Sequence, residues 1–221
     1  MRSPATVIHI PHASDVVPED VRSSIVLGDG ELEHEMLLMT DRYTDELFHL
    51  PEDLATTVTY PVSRLVVDPE RFVDDQHEPM SKVGMGVIYT KTSSAHRLRN
   101  EPTALEREAL LSTYYVPHHQ RLSGAVAAAF VDHGLCVIVD AHSFSSKPLP
   151  HEPDQDPNRC DICIGTDDFH TPAWLTDFAV AEFRAHGYFV EVNRPFAGSL
   201  VPSEYYQLEN RIVSLMVEVN R

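Results

Sequence analysis

The chain of 221 residues contains no apolar run approaching the roughly 20 residues needed to span a bilayer, which excludes a membrane-spanning helix. Positive charge is scarce. Lys and Arg number 17 against 34 Asp and Glu, a formal charge of −17, and this balance argues against nucleic acid or an anionic membrane as a partner. An anionic ligand must therefore be met by a local cluster of arginines. Cysteine is also sparse: Cys136 lies inside an apolar run, and Cys160 and Cys163 form a lone C-x-x-C. Neither a second such pair nor a thioredoxin-like βαβ pattern accompanies it, so Cys163 reads as a strand residue packed beside Ile162 and Ile164. The opening Met1-Arg2-Ser3-Pro4 leads into a strand rather than a signal peptide, and a cytoplasmic location is expected. Internal repeats and low-complexity tracts are absent, and one domain over 1–221 is expected.

What the chain does have is an alternation of strand and helix patterns. Residues 6 to 10 read as a first strand, and 31 to 50 carry apolar residues at helical spacing until Pro51 ends the region. Ala55 to Tyr60 is β-branched and predicts a second strand, and Gly86-Val87-Ile88-Tyr89-Thr90 a short third one. Thr103-Ala104-Leu105-Glu106 fits a capping box opening a long helix to Phe130, with Pro117 as a kink or break. Gly134 closes it. Leu135 to Asp140 is apolar throughout, as expected of a strand buried on both faces. The Pro-, Asp- and Ser-rich stretch 143–159 predicts a lid or substrate loop. Cys160–Gly165 reads as a strand, Pro172–His186 as an amphipathic helix, Tyr188–Val192 as an edge strand and 211–219 as a last strand.

Two apolar runs stop on a histidine: Val7-Ile8-His9-Ile10-Pro11-His12 and Val137-Ile138-Val139-Asp140-Ala141-His142. Residues just past the carboxyl ends of strands line the crevice of an open α/β sheet, so His12 and His142 can converge on one divalent ion. His9 fits the opposite side of its strand and reads as structural. A hydrolytic zinc site commonly uses three protein ligands and leaves a position for water. Of the acids nearest in sequence to His12, namely Asp15, Glu35, Asp41 and Asp45, Asp41 is preferred as the third ligand because it stands at the start of a new helical turn, with Glu35 and Asp45 as alternatives. Such a site also needs a proton acceptor. Glu218 interrupts the apolar run Leu215-Met216-Val217 at a strand end, where an unpaired carboxylate is costly to bury, and it takes that role unless a salt bridge to Arg71 or Arg221 accounts for it. Arg64 and Arg71, with Arg97 and Arg99 behind them, are the guanidiniums that could fork onto substrate carboxylates, against the plainer alternative of surface ion pairs with Asp68, Glu70, Asp74 and Asp75.

Six segments in order, Val7 to His12, Thr40 to Phe48, Ser63 to Phe72, Asp140 to Ser143, Asn193 to Gly198 and Ser214 to Arg221, together resemble the N-formylglutamate amidohydrolase family over nearly the whole chain. The resemblance implies an α/β fold, a single-domain three-layer sandwich with a mixed sheet of zinc-peptidase-like (phosphorylase/hydrolase-like) type. It also implies hydrolysis of N-formyl-L-glutamate to formate and glutamate, one Zn2+ per chain, and a small anionic N-acyl amino acid as partner. A more distant similarity to zinc-dependent peptidoglycan amidases, in which a histidine, an acid opening the next helix, a second histidine and a final strand glutamate occur in the same order, favours Asp41 over Glu35. The segment Thr92 to Arg99 departs from the family pattern, with Ala95-His96 where a glycine turn is expected. A peptidoglycan or peptide amidase and a non-enzymatic protein with a structural metal are the competing expectations.

Overall fold

A computed structural model describes residues 2–221. Six strands, β1 (Thr6–Ile10), β2 (Ala55–Thr59), β3 (Cys136–Phe144), β4 (Ile162–Gly165), β5 (Val190–Val192) and β6 (Ile212–Asn220), form one sheet in the order β2-β1-β3-β6-β4-β5. It is mixed: only the β4–β6 pairing is antiparallel. The helices are α1 (Glu19–Arg22), α2 (Asp29–Met39), α3 (Thr44–Leu47), α4 (Ala104–Leu110), α5 (Val116–His133) and α6 (Ala173–Ala185). No helix among the described residues is long and apolar enough to cross a membrane.

The apolar alternation of the central strands decides which helix covers which face. Val7, Cys136, Ile138 and Ile212 bury against Leu122, Val126 and Ala129 of α5, whereas Val213, Leu215 and Val217 bury with Leu175 and Ala179 of α6. At about 25 cal/mol per Å2 of apolar surface, these two layers are the main source of stability. β3 and β6 are paired over all nine residues, His142 opposite Glu218. His142 therefore lies inside a strand rather than just past its end, because the partner strand continues the ladder beyond it.

Two expectations need correction. The helical pattern of 31–50 is split: α2 ends at Thr40, which is extended (ψ 132), and Tyr43 is left-handed (φ 68) before α3. Residues 86–90 form turns instead of a strand. Val87, Ile88 and Tyr89 are apolar because they are buried in loop packing, with Thr90 and Lys91 both donating to the Gly84 carbonyl. The long helix carries a π turn, Leu111–Tyr115, immediately before Pro117, which absorbs the missing backbone donor ahead of α5. Its start is as expected, with Thr103 and Glu106 in a reciprocal capping box. Ala95 adopts φ 62 at the turn where glycine was expected, so the turn is made at some backbone cost.

Candidate active site

The carboxyl ends of β1, β3 and β6 open into a cavity of about 870 Å3 lined by His12, Asp41, Arg64, Glu70, Arg71, Asp140, His142, Glu218 and Arg221 among others. His12 follows β1. Asp41 occupies the break between α2 and α3, and its backbone N–H donates to the His12 carbonyl at 2.9 Å, which ties the break to the end of β1. Asp41 Oδ2 then lies 3.0 Å from His142 Nδ1 and 3.6 Å from His12 Nδ1. Tetrahedral bonds of ~2.0–2.2 Å separate ligand atoms by about 3.3–3.6 Å, so these spacings suit joint ligation of one ion. The outer nitrogens of both rings also face carboxylates: His12 Nε2 is 2.9 Å from Asp68 Oδ1, and His142 Nε2 lies between Glu70 Oε2 at 3.1 Å and Asp140 Oδ1 at 3.4 Å. This arrangement fixes ring orientation in metal-ligating histidines. Glu70 is a second available carboxylate, since donor atoms of His12, Glu70 and His142 all lie within 4.8 Å of one another.

Glu218, buried opposite His142, has no salt-bridge partner among the described residues, and its Oε2 is buried without a hydrogen bond to them. Burial above all, then the nearby charges of Asp41 and Glu70, push its carboxyl up to about 8 against the opposing pull of His142 and Arg64. Asp41 behaves oppositely: burial would raise it, but its contacts with His12 and His142 hold it well below the usual carboxylate range. One carboxyl is thus kept ready to carry a proton beside another that stays ionised, the division of labour expected of acid–base chemistry. Other buried polar atoms on the cavity wall lack a hydrogen bond, namely His12 Nδ1, Glu70 Oε1, Arg71 Nε, His142 Nε2, His151 Nδ1 and Ser199 Oγ. Unsatisfied donors and acceptors are costly to bury, and their concentration around one cavity fits a site shaped for a ligand and an ion.

Arg64 and Arg71 both reach the cavity. Arg64 donates to Asp68 Oδ2 at 2.8 Å and to Tyr89 Oη at 3.1 Å, leaving Nη1 3.9 Å from Asp41. Arg71 is less committed, with Nε 3.8 Å from Asp68 and 3.9 Å from Glu78. Arg97 and Arg99 lie outside the cavity. Arg97 is exposed beside Asn100, and Arg99 is buried with its guanidinium spent on the Leu65 and Val66 carbonyls. The β-bridges Lys91–Arg97 and Ile25–Arg99 turn that segment away from the site. Glu35 accepts from Ser93, and Asp45 is exposed; neither lines the cavity.

His9, expected on the far side of its strand, instead shares the α5 face with Asp140 and His142. It is the register partner of Asp140 and bonds to it at 2.8 Å. Sequence reasoning missed Glu70, Asp68 and Arg221 at the site and His118 behind it. Residues 145–161 supply Leu149, His151, Glu152 and Pro153 to the cavity wall and are tied down by Arg159 to the Ser145 carbonyl and by Arg194 to Asp154 and Asp156. Cys160 and Cys163 are free and buried, and Cys163 packs with Phe144 and Phe196.

The family model for N-formylglutamate amidohydrolases matches residues 5–221. The chain belongs to the N-formylglutamate amidohydrolase family. Among solved structures, it is similar to N-formylglutamate amidohydrolase from Ralstonia eutropha JMP134, with a TM-score of 0.86 and 22% identity over 100% of this chain and 83% of that one. It is also similar to a gene product from Agrobacterium tumefaciens, with a TM-score of 0.68 and 21% identity over 98% of this chain and 81% of that one. At such identities these likenesses speak for the shared fold. Comparison with curated protein sequences gives no match.

Proposed function

We propose that this protein is a metal-dependent amidohydrolase that removes the N-formyl, or another small N-acyl, group from an acidic amino acid, with N-formyl-L-glutamate as the leading substrate and formate and L-glutamate as products. Family membership supports the reaction class. The observation that carries the residue roles is the convergence of His12, Asp41 and His142 beside an unpaired, buried Glu218 in one cavity. On this reading the sheet and its two helical faces form the three-layer sandwich of zinc-peptidase type.

His12 Nδ1, Asp41 Oδ2 and His142 Nδ1 would hold one ion, zinc by the nature of the donors, with Asp68 and Glu70 behind the two rings. Asp41 is preferred to Glu70 because it leaves both outer ring nitrogens facing carboxylates. Bound at these ligands, a divalent ion would supply a Lewis acid for the acyl oxygen and for a water. Glu218, whose ionised form the positive charge of a nearby ion would favour, takes the proton from the attacking water and returns it to the departing amine nitrogen, which turns a poor leaving group into a neutral one. Arg71 and Arg64 bind the carboxylates of the amino-acid portion, so that only the small acyl group points inward.

The test is a substrate panel of N-formyl, N-acetyl and N-succinyl derivatives of glutamate, aspartate and alanine, run on metal-analysed protein. Fastest release of formate from the acidic N-formyl substrates is expected. Preference for a peptide or a peptidoglycan fragment over all of them would reject the assignment.

A further inference from the structure

Behind the metal ligands proposed above lies a chain of buried groups that the hydrolytic steps do not use. His9, fully buried in β1, has both ring nitrogens engaged: Nδ1 is 2.8 Å from Asp140 Oδ1, and Nε2 is 2.8 Å from Nε2 of His118 on α5. His118 Nδ1 in turn lies 3.4 Å from Arg121 Nη2. A guanidinium has only donors, so His118 must turn the lone pair of Nδ1 toward it. Burial, reinforced by neighbouring imidazoles, keeps His118 neutral. Its single proton is therefore on Nε2 and is donated to His9 Nε2. His9 must then carry its own proton on Nδ1 and donate it to Asp140. The tautomers follow from the order of donors, Arg121 to His118 to His9 to Asp140.

The far end of the chain meets the metal ligand. Asp140 Oδ2 accepts from the Leu200 N–H at 3.0 Å, while Oδ1 lies 3.4 Å from His142 Nε2. Glu70 bridges the same two rings, with Oε1 3.5 Å from His9 Nδ1 and Oε2 3.1 Å from His142 Nε2. Asp140 and Glu70 thus both lie between the His9 and His142 rings; the His9–Asp140 contact is a hydrogen bond, whereas Glu70 Oε1 and His142 Nε2 are buried close to their neighbours without one. The His9 proton offsets part of the repulsion between two acids brought together in a buried site.

We propose that His9, locked in one tautomer by His118, is a positioning residue for the metal. Its Nδ1 proton holds Asp140, beside Glu70, close to His142 Nε2, so that carboxylates stand behind the outer nitrogen of that ring and its Nδ1 would be the nitrogen offered to the ion. One consequence is that His9, Glu70 and Asp140 do not form a second ion site, although their donor atoms also lie within 4.8 Å of one another. His9 presents a proton there rather than a lone pair. On this proposal the His9 cluster holds no ion of its own.

This inference rests on the ligand set His12, Asp41 and His142, and the experiment separates the two. Zinc content and zinc affinity, by competition with a chromophoric chelator, are measured for the wild type, His9→Leu, His9→Asn, Asp140→Asn and His142→Ala, alongside the melting temperature of each zinc-free protein. Leu removes the donor, whereas Asn keeps an N–H near the Nδ1 position; both lose the His118 bond and should lose similar stability. Expected are one zinc per wild-type chain, an affinity lowered ~10–100-fold in His9→Leu and Asp140→Asn, and most of it recovered in His9→Asn. Should His9→Leu fail to fold, Asp140→Asn, which leaves the His9–His118 pair in place, carries the test. Equal affinities in the Leu and Asn variants, wild-type affinity in Asp140→Asn, or two zinc ions in the wild type would overturn the proposal. Undiminished zinc binding in His142→Ala would instead overturn the ligand set.

Discussion

The two faces of β3 and β6 are built from the same strands and serve opposite ends. Toward α6, Val137, Val139, Val213, Leu215, Val217 and Val219 form an apolar surface. Toward α5, the strands begin alike with Cys136, Ile138 and Ile212, then change to Asp140, His142 and Glu218. The polar half is as buried as the apolar half, and it contributes little to stability for that burial. An apolar interior stabilises through area removed from water, whereas buried acids and imidazoles must find partners merely to break even. The expense is concentrated where His12, Asp41 and Glu70 arrive from neighbouring segments, and this is the physical signature of a site retained for chemistry.

Breaking each face separately should have separable effects. The largest is expected from His142→Ala, which should abolish both zinc retention and turnover while the fold persists; full retention of zinc by the folded variant would refute its role. Glu218→Gln comes next. It should keep zinc and substrate binding but lower turnover by roughly 10²–10⁴-fold, as measured under saturating substrate. On the apolar face, Leu215→Ala should cost about 2–5 kcal/mol of unfolding free energy while the folded fraction turns over at nearly the wild-type rate. A denaturation curve with parallel kinetics checks both halves of that statement.

Smaller effects sharpen the comparison further. Arg71→Met should lower kcat/KM for N-formylglutamate by roughly 10–100-fold and leave a neutral N-formyl amino acid much less affected, since a charged hydrogen bond is worth about 1.5–3 kcal/mol. Equal losses on both substrates would make Arg71 an ion-pair partner only. The smallest effect is a pH dependence of the metal-free protein. The Glu218 carboxyl, held at about 8 against an ordinary 4.5, gives stability that is present at low pH and is lost as the pH rises through 8. The melting temperature of chelator-treated wild type should fall more between pH 5 and pH 8 than that of Glu218→Gln. Matching slopes would show that the carboxyl is not held protonated.

Much of this arrangement was legible in the sequence because burial leaves strong local patterns. The apolar runs of β1, β3 and β6 and the polar residues that interrupt them located His12, His142 and Glu218, and the capping box located the start of α4. Less legible were features set by partners distant in sequence. His9 was assigned to the wrong face because the alternation in β1 shows two sides without saying which one the active site occupies; only its pairing with Asp140 decides that. Residues 86–90 imitate a strand because buried loop packing uses the same β-branched residues. Glu70 and Asp68 were counted as ion-pair partners of the arginines, although Asp68 follows Val66-Val67 and precedes Pro69, an apolar setting that marks a buried acid. Arg97 and Arg99 were read by proximity to an expected strand that did not form.

The central claim is that one ion held by His12, Asp41 and His142 serves hydrolysis of N-formyl-L-glutamate. Its most direct test measures formate released from N-formyl-L-glutamate by the protein as purified, after removal of metal by a chelator, and after stepwise return of zinc. The account predicts that release stops on metal removal and recovers in proportion to added zinc, reaching its maximum at one ion per chain. Undiminished formate release by the metal-free protein would contradict it.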